Sequence, residues 1–373
     1  MNIALVYDRI NKYGGAERVL ENLHTLYPNS PVYTSVYNQK TAPWANGWDI
    51  RPTFLSRIPL ARSHHELLPL LTPFAFETLS FDGFDAVISV TSADAKAILT
   101  KPETCHICYC LTPTRYLWSG YEDYTEIPGL GIFSALGKRV FLANSTRLRR
   151  WDLTFSKRPD YYTAISNLVA QRISRYYGIP VDRVIYPPVD TDTFIPAGNG
   201  DSGYFLTVGR LVPYKRIDTV VEAANRLGVR LVVIGSGRDE ARIRKLAGPT
   251  VTLITEKLTD EKLASYYQHC RAFVFAGAED FGITAAEAQS CGKPVVCFGG
   301  SGMAEIVKDR ETGVVLEDQS VESVMNGMKI VSEMTISSDA CRSNALRFGK
   351  KRFADEFREY IVQTVDRYRK ALP

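Results

Sequence analysis

The stretch RAFVFAGAEDFGITAAEAQSCGKPVVCFGG, from Arg271 to Gly300, reads as strand, loop, helix and strand in succession. RAFVFAG and KPVVCFGG are short apolar runs closed by glycine, the pattern of buried parallel strands. Between them two carboxylates, Glu279 and Glu287, bracket an apolar segment. A helix through both would set them on roughly one face, about two turns apart. Gly282 argues against that, because glycine inside a helix costs about 1 kcal/mol relative to alanine. The spacing instead predicts a loop ending near Gly282 and a helix from Ile283 through Ser290. Glu279 then lies on the loop and Glu287 one turn inside the helix, with unpaired backbone N–H groups at the helix start.

The same alternation runs through the chain. NIALVYD precedes a glycine turn and the helical AERVLENLHTLY, DAVISVTS and HICYCLTP are further strands, and YYTAIS leads into NLVAQRISRYYG. After the polar, glycine-rich IPAGNGDSG (195–203), which has the composition of a linker, a second series begins. YFLTVGRL precedes KRIDTVVEAANRLG, RLVVIGSG precedes RDEARIRKLAG, TVTLITE precedes TDEKLASYYQHC, and KPVVCFGG precedes GMAEIV. Short strands alternating with helices make parallel sheets covered on both faces. The fold class is therefore α/β, with two doubly wound, Rossmann-like domains facing across a cleft and ligands at the carboxyl ends of the strands. Residues 1–197 form the first domain and 198–354 the second.

Composition limits the function. At 373 residues, 45% hydrophobic and 23% charged, the chain is globular and has room for two domains. A net charge of +4 gives no argument for nucleic acid. Between Lys138 and Arg158, however, KRVFLANSTRLRRWDLTFSKR holds seven basic residues and one acid among aromatics, a composition that suits either a solvated, charged helix face or a surface resting on anionic lipid. No apolar run reaches the ~20 residues of a membrane span. Seven scattered cysteines fit a reducing compartment, so the expected location is cytoplasmic, with peripheral contact at the inner membrane face. CHICYC (Cys105 to Cys110) lacks a second ligand cluster and reads as a buried strand rather than a zinc site.

Three strand-end loops carry unusual chemistry. In YDRINKYGGAERV, Gly14 and Gly15 precede a helix, where backbone can approach an anion closely. In VGRLVPYKR, Arg210 and Lys215 flank a proline turn, a pair of cations suited to a diphosphate. In EDFGITAAE, the helix start offers N–H groups and the carboxylates can accept hydrogen bonds from a vicinal diol. Neither GSGRDE nor GGSGMA has the glycine spacing of a nicotinamide-dinucleotide site.

Glu279 and Glu287, with FGI after the first and EAQSCGKPVV after the second, together with GGAERV, YCLTPTRYLW, VGRLVPYKR and CFGGSGMAEIVKDRETGVV, form an ordered set spanning nearly the whole chain. The set resembles the retaining glycosyltransferases of family 4, whose architecture is GT-B, and most of all bacterial enzymes of surface-polysaccharide synthesis, many of them mannosyltransferases. The resemblance implies that a C-terminal helix, residues 355–373, completes the first domain. It implies that Arg210 and Lys215 hold the donor diphosphate and that Glu287 binds ribose hydroxyls. Glu279 would take hydroxyls of the transferred sugar, helped by the backbone of Phe281, Gly282, Ile283 and Thr284. Gly15 would approach the phosphates, and Leu258 would pack the nucleobase. Arg115, Tyr116 and Trp118 would line the acceptor side. No cofactor and no metal are implied. The partners are a nucleotide sugar, GDP-mannose by default with UDP-linked and deoxy sugars open, and a glycan or lipid-linked acceptor. Relatives commonly have histidine where this chain has Leu111; either Leu111 merely packs and another group serves the sugar, or the donor is altered at carbon six. A nucleotide-sugar epimerase and a catalytically idle sugar-binding partner are the competing readings.

Overall fold

In this computed structural model, residues 1–58, 62, 68–122, 134–198 and 200–372 are described. The chain divides into two compact units, Met1–Tyr186 with Phe353–Pro373, and Pro187–Arg352. The first contains β1 (Ile3–Tyr7), α1 (Gly15–Leu26), β2 (Val32–Thr34), β3 (Ile50–Pro52), α2 (Thr72–Glu77), β4 (Ala86–Thr91), β5 (Cys105–Cys110), α3 (Ser134–Phe155), β6 (Tyr161–Ala164), α4 (Asn167–Tyr177) and β7 (Arg183–Val184). The second contains β8 (Tyr204–Val208), α5 (Ile217–Leu227), β9 (Arg230–Ile234), α6 (Glu240–Leu246), β10 (Val251–Ile254), α7 (Asp260–His269), β11 (Ala272–Phe275), α8 (Ile283–Ser290), β12 (Val295–Phe298), β13 (Gly313–Leu316), α9 (Val321–Glu333) and α10 (Ser338–Leu346). A last helix, α11 (Lys350–Ala371), starts in the second unit and from Phe353 belongs to the first.

Each unit is built on a parallel sheet. The strand orders are β3-β2-β1-β4-β5-β6-β7 and β10-β9-β8-β11-β12-β13. In both, chain progress reverses direction once, between β1 and β4 and between β8 and β11. Such reversals leave a crevice at the carboxyl ends of the two strands, where loops part to opposite faces. The central strands are buried from end to end, AVISVT in β4 and CHICYC in β5 among them, as sheets covered by helices on both faces require.

CHICYC is a parallel strand between β4 and β6, and all seven cysteines are free and buried. His106 within it is fully buried, with Nε2 2.9 Å from Ser89 Oγ. Burial pushes its pKa down to about 3, helped by the Arg158 charge. It is neutral packing inside the sheet and lies short of the strand-end loop.

Helix ends follow local chemistry. Ser166 caps α4 by accepting the Val169 N–H at 3.1 Å, and Gly178 ends it in the left-handed region, the usual division of labour between the two termini. Thr259 caps α7 in the same way. The segment GMAEIV forms only a 3-10 turn, Gly302–Glu305, rather than a full helix.

Where composition placed the domain boundary at 197/198, the units part at Tyr186. The reason is packing by the residues in between. Val189 donates its N–H to Phe348 O at 2.9 Å, Lys350 pairs with Asp190 at 2.6 Å, and Phe194 is fully buried against Tyr267, ring centroids 5.7 Å apart. Arg342 donates to Phe194 O at 2.8 Å. The polar stretch that looks like a linker thus follows a segment already fastened to the second unit. Phe194→Ala is expected to lower the stability of that unit by about 3–5 kcal/mol, measured as a fall in its urea midpoint.

Candidate active site

In the second unit the loops leaving β8 and β11 meet at the sheet's reversal point. The β8 loop passes through an extended Val212 into a 3-10 turn, Pro213–Lys215, and Arg216 then takes the left-handed conformation with φ 50°. A non-glycine residue there costs of order 1 kcal/mol or more, and the turn it makes swings Lys215 back over the sheet. Lys215 Nζ lies 2.8 Å from Glu279 Oε1 on the β11 loop, and 5.6 Å from the centre of the Phe275 ring. Both side chains are mostly buried, at 14% and 19% exposure. The approach depends on Gly277, where a Cβ would fall 2.7 Å from the carbonyl oxygen of Lys215. Any side chain there would force the loops apart.

Glu279 is held by its backbone. Its N–H donates to Ser301 Oγ at 2.9 Å, and its carbonyl accepts the Gly302 N–H at 2.8 Å. Gly282 then turns the chain into α8 with φ 102°, which favours glycine, and its α-carbon sits against Met303, whose Cγ would be 2.2 Å from an added Cβ. No side chain caps α8, so its first N–H groups and the positive end of its dipole suit an anion or sugar oxygens. Phe281 is buried against Phe348 and contributes packing plus backbone. Ile283 and Thr284, the first two residues of α8, are half-buried.

The remaining residues singled out in this unit occupy different settings. Arg210 is exposed, one nitrogen donating to the Tyr214 hydroxyl at 3.1 Å. Glu287 is 2% exposed, and its Oε2 accepts a hydrogen bond from the Tyr267 hydroxyl at 3.1 Å. Leu258 is half-buried in the loop between β10 and α7, two strands along from β8. Sequence reasoning missed Ser301 and Tyr267, the groups that hold the two glutamates. The SG turn before GMAEIV was a signal for the first, whereas nothing local marked Tyr267, which reaches Glu287 from another helix. A cavity of about 420 Å³ lies elsewhere, near Arg271 and Lys293 at the amino ends of β11 and β12.

In the first unit Gly15 opens α1 with no side-chain cap. Leu111, 6% exposed, follows β5 and donates its N–H to Thr91 O at 2.8 Å. Arg115 and Tyr116 are half-buried in the next turn, the Tyr116 ring 6.1 Å from that of Phe141. Behind this turn is a buried ion pair, Lys96 Nζ to Asp152 Oδ1 at 2.6 Å, with exposures of 2% and 4%. Asp152 also accepts hydrogen bonds from the Thr114 hydroxyl (2.7 Å) and Trp118 Nε1 (2.6 Å). Burial alone would depress the Lys96 pKa, but Asp152, through its charge and hydrogen bond, together with Tyr177 and Asp94 outweighs it and holds the ammonium well above its usual range. One charge pair therefore ties the β4 loop, the β5 loop and α3 together.

The basic stretch behaves differently from a uniform charged face. The Arg149 Nε donates to Leu117 O at 2.7 Å and its guanidinium stacks 4.2 Å from the Tyr121 centroid. Arg147 lies on Trp151 at 4.4 Å, and Arg158 pairs with Glu77. Arg139, Arg150 and Lys157 remain exposed, while the Lys138 side chain falls outside the described residues.

Residues 189–348 match the family "Glycosyl transferases group 1". The second unit is a group 1 glycosyltransferase domain. D-inositol 3-phosphate glycosyltransferase of Mycobacteroides abscessus is 33% identical over 161 residues, 37% of this chain and 36% of that protein. GDP-mannose-dependent alpha-(1-6)-phosphatidylinositol monomannoside mannosyltransferase of Mycobacterium tuberculosis is 31% identical over 212 residues, 48% and 54% respectively. The matches thus span about a third to about half of these relatives. Among solved structures, Anabaena HepE in complex with UDP-glucose is 16% identical with a TM-score of 0.72, covering 97% of this chain and 100% of that one. Sucrose-phosphate synthase from Thermosynechococcus elongatus is 16% identical with a TM-score of 0.71, covering 98% and 99%. The fold is GT-B.

Lys96→Met removes the cation from a buried carboxylate and should cost about 3–5 kcal/mol. The double variant Lys96→Met/Asp152→Asn should recover part of that loss, as measured by urea unfolding.

Proposed function

We propose that this chain is a retaining glycosyltransferase that moves a hexose from a nucleoside diphosphate, GDP-mannose by default, to a glycan or lipid-linked acceptor. The observation that carries this reading is the Lys215–Glu279 pair at the sheet reversal, 2.8 Å apart beside an uncapped helix start, inside the glycosyltransferase domain. A diphosphate brings negative charge for Lys215 and for the exposed guanidinium of Arg210. Its arrival leaves the Glu279 carboxylate to accept sugar hydroxyls. Glu287, oriented by Tyr267, serves the ribose, and Leu258 the base.

The chemistry asks for charge stabilisation and positioning. As the bond from the anomeric carbon to the phosphate oxygen breaks, charge grows on the diphosphate, and two cations with the α8 N–H groups meet it there. The acceptor oxygen bonds to the same face of the anomeric carbon, and its proton passes to the departing phosphate oxygen. Configuration is retained without a protein nucleophile. In this reading cationic side chains do the work that a metal does elsewhere, and a lipid-linked acceptor would bring the exposed Arg139, Arg150 and Lys157 to an anionic membrane face.

GDP at about a hundred times its Kd stabilises the folded state by about 2.7 kcal/mol, which raises the melting temperature by roughly 5 °C or more for a domain of this size. Arg210→Ala should abolish the shift. No shift with GDP or UDP overturns the nucleotide reading. With GDP-mannose, acceptor-dependent release of GDP identifies a transferase, free altered sugar an epimerase, and tight binding without turnover an idle partner. Leu111 predicts that a 6-deoxy GDP-sugar turns over faster than its 6-hydroxy parent in the native enzyme, and that Leu111→His narrows or reverses the preference. A clear native preference for the hydroxylated donor would disprove the role given to Leu111.

A further inference from the structure

The first unit repeats the topological feature that places the diphosphate site in the second. Its strand order reverses between β1 and β4, and the loops leaving those strands are joined by Asp8. That carboxylate, 5% exposed, accepts hydrogen bonds from the Thr91 hydroxyl (2.8 Å), the Ser92 N–H (2.7 Å) and the Ala95 N–H (2.9 Å). Asp8 is consumed by this work. It fixes a tight turn after β4, and the residue presented by that turn is Asp94.

Asp94 is unlike the other acids nearby. Its side chain is half-buried and caps nothing, and among the described residues no hydrogen bond reaches its carboxylate. It lines a cavity of about 10 Å³ with Tyr116, Leu117, Trp151 and Asp152, room for about one water. One strand over, at the end of β5, the Thr112 hydroxyl is also without a hydrogen-bond partner, in a residue only 4% exposed. Native proteins rarely leave such groups unsatisfied without a use for them. Two polar groups lacking partners thus sit on adjacent strand ends, next to the reversal crevice and among aromatic side chains.

We propose, building on the glycosyltransferase reading above, that Asp94 is an acceptor-binding residue whose carboxylate takes a hydrogen bond from a hydroxyl of the acceptor sugar. An ionised carboxylate has only acceptor sites, so it matches a polyol and rejects a phosphate. Charged groups face Asp94 from each element around it: Asp8 and Arg9 after β1, Lys96 on its own turn, and Asp152 on α3, with the Tyr116 phenol beyond the end of β5. Burial pushes its pKa up to about 7, with Asp8 and Asp152 adding and Lys96 and Arg9 opposing. Between pH 6 and 8 the carboxyl therefore passes from mostly protonated to mostly ionised, and sugar binding through it should tighten roughly tenfold.

The test uses the full chain with GDP present and three soluble probes, the octyl glycosides of mannose, glucose and galactose, with binding followed by saturation-transfer NMR. At least one probe should bind the native protein and bind about tenfold more tightly at pH 8 than at pH 6. In Asp94→Asn the affinity at pH 8 should fall about tenfold and the pH dependence should vanish, while the GDP-induced rise in melting temperature persists and shows the variant folded. Thr112→Val should weaken the same probe and keep the pH dependence. Failure of all three probes to bind the native protein, or equal binding and an equal pH profile in Asp94→Asn, overturns the proposal. Loss of the GDP shift in the native protein counts instead against the nucleotide reading on which the proposal rests.

Discussion

The second unit turns on a contact between backbones. Lys215 can reach Glu279 only because the β8 and β11 loops come together where residue 277 has no side chain. A mostly buried ammonium and carboxylate need each other, since either left alone would bear the full cost of desolvation. The pair therefore fixes both loops before any ligand arrives. Ser301 and Gly302 then hold the Glu279 backbone, and Met303 supports the turn at Gly282 from which α8 starts. A preorganised arrangement of this kind loses little entropy on binding.

The first unit meets the same topological situation with different chemistry. Its strand-end loops are tied by carboxylates, Asp8 under the β4 turn and Asp152 beneath the β5 turn. Two similar sheets thus carry unlike groups at their reversals, the Lys215–Glu279 pair in one and the hydrogen-bonded Asp8 with Asp94 beside it in the other.

Much of this was legible in the sequence, and the reasons are specific. The limits of α8 followed from one glycine, and β5 from a run too apolar and too short to be anything but an inner strand. Alternation identified the parallel sheets because buried strands carry a strong signal. The three-residue strands β2 and β3 are too short for periodicity to register. Partners from distant elements were invisible as well: Tyr267 for Glu287, and Asp152 for Lys96. The boundary near 197 was misplaced for the same reason. Composition reported a polar stretch correctly, but the long-range contacts of Phe194 and Asp190 decide where that stretch attaches.

The last helix, α11, packs its aromatic face on the first sheet. Phe357 lies 5.2 Å from the Tyr109 ring, and Arg367 pairs with Asp182 at 2.7 Å. One unit is thus continuous in sequence while the other waits for residues after Phe353. On the ribosome, the glycosyltransferase domain emerges whole and can close first. The unit begun earlier keeps one face of β5 and β6 uncovered until α11 has emerged, so that apolar face is the surface that chaperones would meet during synthesis.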